Sequence, residues 1–450
     1  MTASMLDILD ERFAAAARLD ALAVDDTIYT YESLAHSIDK WMARIKLSGL
    51  KPGTVVLLQA DFTSDGVGAL FAAMRSQLIS ILLSPSSYAK QEEFCEIGRA
   101  QARIDTFSGT ISTLEFDGAH PLYDRLRASS EPGIVLFSSG STGKSKGTVH
   151  SGQRLLEKFR KPGKEFRTIA FLLFDHIAGL DTLFYALANS SLLVLPSHRT
   201  PDAVCRLIER YKVEVLPTSP SFINLLLLSG AAERHDLSSL KIITYGSEAM
   251  SQSTLDQCAV AFPNVRLLQK FGTSETGALP TRSKSNTSTW LKIGGEGFEW
   301  RERDGLLEIR AKTAMLGYLN APSPFTEDNF FMTGDRIEVD GDFVRILGRD
   351  NDVINVGGQK VFPAEVENVI RTVPGIEEVA VSGEPHILLG TIVVARIKPV
   401  DKNVSPVELR KQIRAHLSGT LESYKIPQKF VFTQQSLTTE RFKIARKVSS

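Results

Sequence analysis

The chain has 450 residues, enough for two or more domains when one domain takes roughly 100 to 200 residues. Its 52 basic and 52 acidic residues balance, so the sequence lacks the positive excess that draws proteins to nucleic acid or to anionic lipid. Its 3 cysteines stand singly, with neither a CxxC pair for zinc nor a disulfide framework, which fits a reducing compartment.

The start of the chain gives no sign of export or of a membrane anchor. Residues 1–24 carry acidic side chains through a helix-like pattern, unlike the basic start and apolar block of a signal peptide. No apolar run approaches the ~18 residues of a membrane helix. We therefore expect a cytoplasmic protein with neither a membrane nor a nucleic acid as a partner.

Short apolar runs alternate with amphipathic stretches from about residue 54 to residue 270. The runs 54–60, 168–174 and 240–246 read as strands, and 202–211 has the spacing of an amphipathic helix. This alternation predicts parallel strands joined by helical crossovers, which is an α/β body that continues to about residue 277.

The pattern changes after this body. Residues 278–347 consist of short strand-like pieces with turn signals, among them Asp340-Gly341, and predict a small β-rich part. The polar stretch 348–355 is the expected domain boundary, although a plain surface loop would have the same composition. Residues 356–450 again mix helix and strand signals and predict a small α+β domain.

A serine- and glycine-rich stretch at 137–147, FSSGSTGKSKG, follows an apolar run. Glycines let backbone amides approach an anion, and hydroxyls and lysines add donors and charge, so the stretch predicts a phosphate-binding loop. Gly143-Lys144-Ser145 resembles the end of a Walker A loop, but Ser138 stands where that motif needs its first glycine.

The same stretch resembles the (T/S)SG(S/T)TGxPKG phosphate loop of the adenylate-forming superfamily, which includes acyl-CoA synthetases, peptide-synthetase adenylation domains and luciferases. Ser145 stands where proline is usual, and the other positions of the pattern fit. The resemblance implies that the following residues contact the phosphates of ATP: Ser138, Ser139, Gly140, Ser141, Thr142, Gly143 and Lys146.

Further superfamily motifs follow in the same order. The segment 271–275 resembles YGxTE, whose aromatic residue borders adenine and whose glutamate holds Mg²⁺. The segment 245–248 resembles a part of the adenine site. Thr333-Gly334-Asp335, together with Arg349, resembles the ribose contacts. The nucleotide-site residues that this resemblance implies are Gly246, Ser247, Glu248, Phe271, Gly272, Thr273, Ser274, Glu275, Asp335 and Arg349, with Glu275 also the metal ligand.

The C-terminal motifs match less completely. The segment 354–367 resembles the part of acyl-CoA synthetases that follows the hinge, and Gly358 stands where the pantetheine arm passes. Lys443 aligns with the lysine that bridges the carboxylate and the α-phosphate, although Phe442 replaces a glycine. Asn351 replaces the usual hinge Asp or Lys. We interpret a further signature at 315–318 mainly as packing.

The resemblance implies a two-domain fold and a two-step reaction. A large N-terminal adenylating domain, 1–347, would have parallel sheets flanked by helices plus the β-rich part, and a hinge at 348–355 would lead to a small mobile α+β lid domain at 356–450. ATP and Mg²⁺ would convert a carboxylic acid to an acyl-adenylate with release of pyrophosphate, and a thiol, coenzyme A above all, would then take the acyl group.

Residues 172–179 fit two superfamily patterns, and these patterns imply different substrate acids and different acyl acceptors. His176 fits the FHxxG of CoA ligases, and Asp175 fits the FDxS of amino-acid adenylation domains, without the final serine. We favour a CoA ligase with His176 in the site and with pocket walls at 219–224 and 276–279. The alternatives are an enzyme that loads an acid onto a carrier protein, a P-loop ATPase or kinase, and a non-catalytic nucleotide-binding homologue.

Overall fold

A computed structural model describes residues 3–139, 144–386, 390–439 and 444–446. Its helices are α1 (Met5–Ala15), α2 (Tyr31–Leu47), α3 (Ser64–Arg75), α4 (Gln91–Gly98), α5 (Pro121–Ser129), α6 (Gly152–Glu157), α7 (Ile177–Ala188), α8 (Pro201–Tyr211), α9 (Pro220–Ser229), α10 (Ala231–Arg234), α11 (Gln252–Ala261), α12 (Pro363–Arg371) and α13 (Pro406–Ser418). Short 3₁₀ turns lie at Pro85–Lys90, Asp350–Asp352 and Ser423–Lys425.

The strands fall into three groups along the chain. The strands of the body are β1 (Asp20–Val24), β2 (Thr27–Thr30), β3 (Val55–Gln59), β4 (Ile79–Leu83), β5 (Ala102–Asp105), β6 (Thr110–Thr113), β7 (Gly133–Ser139), β8 (Ser145–Ser151), β9 (Thr168–Ile169), β10 (Leu193–Leu195), β11 (Val215–Thr218), β12 (Ile242–Tyr245), β13 (Arg266–Gln269), β14 (Gly272–Thr273) and β15 (Gly277–Ala278). The next group is β16 (Thr281–Ser283), β17 (Leu291–Ile293), β18 (Phe298–Arg303), β19 (Leu306–Ala311), β20 (Gly317–Tyr318), β21 (Phe331–Asp340) and β22 (Phe343–Arg349). The C-terminal group is β23 (Ile354–Val356), β24 (Gln359–Val361), β25 (Ile376–His386), β26 (Gly390–Pro399) and β27 (Lys429–Phe432).

Within the described ranges, the body contains two seven-stranded sheets. The first sheet has the order β13-β12-β11-β9-β10-β1-β2, and the second has the order β20-β8-β7-β4-β3-β5-β6. Their central strands run parallel, and antiparallel strands lie toward the edges. Every residue of β3 and β4 is buried, as expected for parallel strands covered by helices on both faces. The predicted α/β fold is confirmed.

Helices fill the space between the two sheets and cover their outer faces. Apolar residues of α1, α2, α3 and α7 form one core with the facing sides of both sheets, including the buried Trp41 and Phe71. The outer face of the first sheet packs against α8, α9 and α11, and the outer face of the second packs against α4 and α5. This layered packing fixes where the parallel strands end, and therefore where the following loops meet.

The later elements match the predicted change in pattern. A six-stranded sheet, β16-β17-β22-β21-β19-β18, contains the predicted hairpin at Asp340-Gly341, and a three-stranded sheet, β25-β26-β27, packs with α12 and α13. Strand β22 continues through Arg349 and β23 begins at Ile354, so 350–353 connects them. The exact domain limits stay a prediction.

The cysteines are all buried, and the described helices lack a membrane-spanning candidate. Cys95, Cys205 and Cys258 are all buried as free thiols, and burial raises their pKa values, to about 12 for Cys205 and Cys258. In the described part of the chain, none of the helices combines the length and the apolar composition needed to cross a membrane.

Candidate active site

Loops after two neighbouring parallel strands pack tightly against each other. Gly246 follows β12, and a Cβ atom at this position would lie 2.6 Å from the carbonyl oxygen of Lys270, which follows β13. Ser247 has a positive φ of 68°, so the chain turns sharply here. The loop at 246–248 therefore lies against the segment that begins at Phe271, as the sequence motifs require.

The turn at 271–275 is closed by its own hydroxyl groups and presents Glu275. A Cβ atom at Gly272 would lie 2.6 Å from the carbonyl oxygen of Gly277, so the hairpin β14-β15 depends on a glycine there. Thr273 Oγ1 accepts hydrogen bonds from the backbone N–H groups of Glu275 and Thr276, each at 3.2 Å. These bonds fix the backbone around Glu275.

The segment 315–318, which ends in β20, holds Glu275 from the other side. The Tyr318 hydroxyl donates a 2.6 Å hydrogen bond to Glu275 Oε1, and the N–H of Met315 donates to the Glu275 carbonyl at 2.7 Å. Burial, together with the charge of Glu275, raises the pKa of Tyr318, so its hydroxyl stays protonated and remains a donor. Lys146 Nζ lies 5.4 Å from the centroid of the Tyr318 ring.

A buried histidine supports the same turn. His150 in β8 is 1 % exposed, and its Nε2 lies 2.7 Å from the carbonyl oxygen of Ser274. Burial lowers the pKa of His150 to about 4, so the ring is neutral at physiological pH and Nε2 donates this bond. Sequence reasoning missed His150 because a single histidine in an apolar strand carries no motif.

Asp335 and Arg349 lie on paired strands and face each other. They are register partners in β21 and β22, with Arg349 Nε 3.4 Å from Asp335 Oδ1. The net pKa of Asp335 is raised to about 6, chiefly because the carboxyl group is buried. The neighbouring Arg349 opposes this rise, and the charge of Glu275 adds to it. The structure therefore brings the predicted ribose contacts and the predicted metal ligand into one electrostatic neighbourhood.

The predicted phosphate loop connects β7 and β8. Ser138 pairs with Lys146 in this antiparallel hairpin, and both side chains are half-buried. The segment 140–143, with Gly140, Ser141, Thr142 and Gly143, lies outside the described residues, as does the side chain of Ser139. The described part places Lys146 next to Tyr318, on the side of Glu275.

Ser145, which replaces the usual proline, anchors the end of this hairpin. Its N–H donates to Glu93 Oε1 at 2.8 Å, and its hydroxyl donates to Glu93 Oε2 at 3.1 Å. Lys90 donates to the Ser145 hydroxyl at 3.0 Å, and Asn320 Nδ2 donates to the Ser145 carbonyl at 2.8 Å. A proline has no N–H and could not make the first bond.

His176 and Asp175 have different surroundings. His176 precedes α7, and its Nδ1 accepts the N–H of Ala178 at 3.3 Å. Asp175 is buried, and its Oδ2 accepts a 2.6 Å hydrogen bond from the Ser87 hydroxyl and a 3.4 Å bond from the Ser84 N–H. This oxygen of Asp175 is thus held by the segment that follows β4.

The predicted pocket wall at the start of α9 faces the C-terminal domain. Ser221 and Asn224 line a cleft with Glu248 on one side and Glu377 and Leu437 on the other. Asn224 Nδ2 donates to the Glu377 carbonyl at 3.4 Å, so the two domains are in contact.

Gly358 and Lys443 are not brought into the assembled site by the described residues. Gly358 lies in the turn between β23 and β24 with a φ of 89°, and a Cβ atom there would have nothing within 4 Å. Lys443 lies outside the described residues. The site roles of both residues stay predictions.

The geometry defines a class of protein by its fold: an α/β body whose predicted nucleotide-site residues lie between the ends of the parallel strands and the β-rich part. Two family models match the chain, AMP-binding enzyme over residues 10–294 and AMP-binding enzyme C-terminal domain over residues 365–443. The chain belongs to the AMP-binding enzyme family and is an adenylate-forming ligase of the acid–thiol type.

Known proteins similar to this chain span nearly its whole length. The 2,3-dihydroxybenzoate-AMP ligase of Bacillus subtilis is 26% identical over 506 residues, covering 98% of this chain and 92% of its own. A 2-succinylbenzoate–CoA ligase of Listeria monocytogenes is 24% identical over 479 residues, covering 98% of each chain. The crystal structure of an anthranilate CoA ligase with anthranoyl-AMP superposes with a TM-score of 0.84 at 22% identity, covering 99% and 96% of the two chains, and shows the same fold.

Proposed function

We propose that this protein joins an aryl carboxylic acid to coenzyme A in two steps, through an acyl-adenylate. The observation that carries the proposal is the cluster of Asp335, Arg349, Glu275, Tyr318 and Lys146, which offers separate contacts for the ribose, the metal and the phosphates of one ATP molecule. Each part of the cluster has a role that follows from its charge and burial.

Asp335 and Arg349 would hold the ribose. An ionised carboxylate accepts hydrogen bonds from two neighbouring hydroxyl groups, and the buried position of Asp335 makes these bonds stronger than they would be in water. Arg349 keeps Asp335 ionised at neutral pH and presents its own exposed guanidinium beside it.

Glu275 would hold Mg²⁺ together with the phosphates of ATP. The described residues contain no cluster of three or more His, Cys, Asp or Glu side chains that could cage a metal by themselves. A single half-buried carboxylate fits Mg²⁺, which keeps several waters and commonly takes one or two protein oxygens plus substrate phosphates. When bound, the ion would neutralise charge on the phosphates.

Ser138, Lys146 and the intervening phosphate loop would hold the departing pyrophosphate. The hydroxyl groups and the lysine supply donors and positive charge where negative charge accumulates as the α-phosphate bond breaks. Lys443 would bring the substrate carboxylate and the α-phosphate together, so that a carboxylate oxygen attacks phosphorus and pyrophosphate leaves. A thiol would then attack the acyl carbonyl and displace AMP, with Gly358 beside the pantetheine arm after rotation of the C-terminal domain.

The surroundings of Asp175 support an acid without a charged ammonium group. Oδ2 of this carboxylate is engaged by Ser84 and Ser87, and the carboxylate is buried, so it is poorly placed to bind a substrate ammonium group. Similar proteins are ligases for 2,3-dihydroxybenzoate, 2-succinylbenzoate and anthranilate, and this supports an aryl acid for this chain as well.

Pyrophosphate exchange against a panel of acids tests the first step. We expect ATP–pyrophosphate exchange with one or more aryl acids and not with amino acids, and AMP rather than ADP as the nucleotide product. Exchange with amino acids alone would contradict the acid assignment, and ADP formation would contradict the reaction type. Mass analysis with coenzyme A and, separately, with a phosphopantetheinylated carrier protein then identifies the acceptor.

A further inference from the structure

The short segment 444–446, which we name the tail segment, connects the two domains. The N–H of Ile444 donates a 2.7 Å hydrogen bond to Oε1 of Glu248, a residue of the large domain. Ile444 also forms a β-bridge with Thr438, and the N–H of Ala445 donates to the Leu437 carbonyl at 2.7 Å. The tail segment is therefore ordered by its own domain and docked on Glu248.

Glu248 is itself held in place by the large domain. Its second oxygen, Oε2, accepts hydrogen bonds from both the N–H and the hydroxyl of Ser221, at 3.2 Å and 2.6 Å. Ser221 lies in the first turn of α9, where backbone N–H groups are free to bond an acceptor. Both carboxylate oxygens of Glu248 are thus used, one on each side of the domain boundary.

Arg446 fixes the other end of the tail segment within the C-terminal part. Its guanidinium bonds both oxygens of Glu367, through Nε at 2.9 Å and Nη2 at 2.8 Å. Its Nη1 donates to Asp352 at 3.2 Å, and Asp352 lies in the segment that connects β22 and β23. Glu367 is fully buried, so this paired, bidentate contact is strongly directional.

We infer that Glu248 and Arg446 are positioning residues that dock the tail segment, which directly follows Lys443 in the sequence, for the adenylation half-reaction. The inference rests on the proposed function, since Lys443 matters here only if an acid is adenylated. The contact between Glu248 and Ile444 joins the two domains, and the rotation proposed for thioester formation would break it. Arg446 holds the tail segment to Glu367 within the C-terminal domain and to Asp352 at the predicted hinge. The docking role of Glu248 therefore belongs to the first half-reaction.

The test compares both half-reactions in Glu248→Ala, Glu248→Gln and Arg446→Gln, with Arg410→Gln as a control on the exposed face of α13. The substrate is the aryl acid with the highest exchange rate in the panel above, and its synthetic adenylate serves for the second step. We expect Glu248→Ala and Arg446→Gln to lower the exchange rate at least about tenfold, and to lower thioester formation from the adenylate by a clearly smaller factor. Glu248→Gln recovers part of the loss because its amide oxygen still accepts one bond.

A second measurement needs no substrate. In the free protein, hydrogen exchange of the Ile444 amide should be at least about tenfold faster in Glu248→Ala than in the wild type. A raised KM for ATP with unchanged protection of Ile444 would instead make Glu248 a nucleotide contact and overturn the inference, as would equal loss of both half-reactions. If the proposed function is wrong, the wild type shows no exchange with any acid while the faster hydrogen exchange remains.

Discussion

Tyr318 shows how a residue that reads as packing from the sequence takes part in the site. Its hydroxyl donates to Glu275, its ring lies under Lys146, and its strand pairs with β8 through Thr148. One side chain therefore contacts both the predicted metal ligand, Glu275, and Lys146 at the end of the phosphate hairpin. A phenylalanine would keep the ring and lose only the hydrogen bond.

We expect Tyr318→Phe to lower kcat/KM for ATP about tenfold, because Glu275 loses its donor and its carboxylate is no longer held in one orientation. Steady-state kinetics of pyrophosphate exchange measures the effect. Tyr185→Phe is a matched control, since its hydroxyl bonds the Lys164 carbonyl away from the described site. Equal rates in wild type and Tyr318→Phe would show that the hydrogen bond does not contribute.

The raised pKa of Asp335 predicts the pH dependence of ATP use. The ionised carboxylate accepts bonds from the ribose, and burial moves its pKa up to about 6, so kcat/KM for ATP should fall about tenfold per pH unit below that value. Asp335→Asn should have a lower kcat/KM for ATP and should not show this fall at acidic pH. Asp340→Asn, at the exposed end of the same strand, should show the same fall as the wild type.

At the scale of elements, Ser145 and Glu93 tie the hairpin β7-β8 to α4. Ser145 uses both its N–H and its hydroxyl to bond Glu93, while Asn320 accepts the N–H of Gly147 and donates to Ser145. The usual proline would make the loop stiff through its own ring. Here the neighbouring elements provide the restraint instead.

Glu93→Gln should raise the KM for ATP several-fold with a smaller change in kcat, because Ser145 loses one of its two acceptor contacts with Glu93. The adjacent exposed Glu92 offers a matched control, and Glu92→Gln should leave both constants unchanged. The reverse ranking of the two variants would show that surface charge, not the Ser145 contact, affects ATP binding.

The sequence predicts the elements of this protein better than it predicts how they contact one another. Alternating apolar and amphipathic runs specified the parallel sheets, and the motifs placed Asp335 opposite Arg349 and Glu275 at a tight turn. The bonds from Tyr318 to Glu275 and from Ser145 to Glu93 join residues 43 and 52 positions apart, and no local pattern encodes such pairs. His150 was missed for the same reason.

At the scale of the molecule, the two parts of the C-terminal domain that the proposed half-reactions would use have different surroundings. The tail segment docks on the large domain through Glu248, whereas the turn with Gly358 faces open space. A docked tail segment, next in sequence to Lys443, is the arrangement that the proposed adenylation step requires.

We expect Lys443→Ala to abolish pyrophosphate exchange and to spare thioester formation from a supplied acyl-adenylate, and Gly358→Leu to do the reverse because a side chain would narrow the passage. Separate assays of the two half-reactions measure this. Gly375→Leu controls for backbone strain, since Gly375 has a similar φ of 87° and equally open surroundings. Normal overall turnover in Gly358→Leu would show that no arm passes there.

The burial of all three cysteines limits a side reaction, the acylation of the enzyme's own thiols. An acyl-adenylate is an acylating agent, and a thiolate on the enzyme would compete with the intended acceptor for the acyl group. Cys95, Cys205 and Cys258 are buried, and their raised pKa values keep them protonated. The enzyme is thereby protected from self-acylation at sulfur, and any intermediate that escapes the site would mark surface lysines rather than its own thiols.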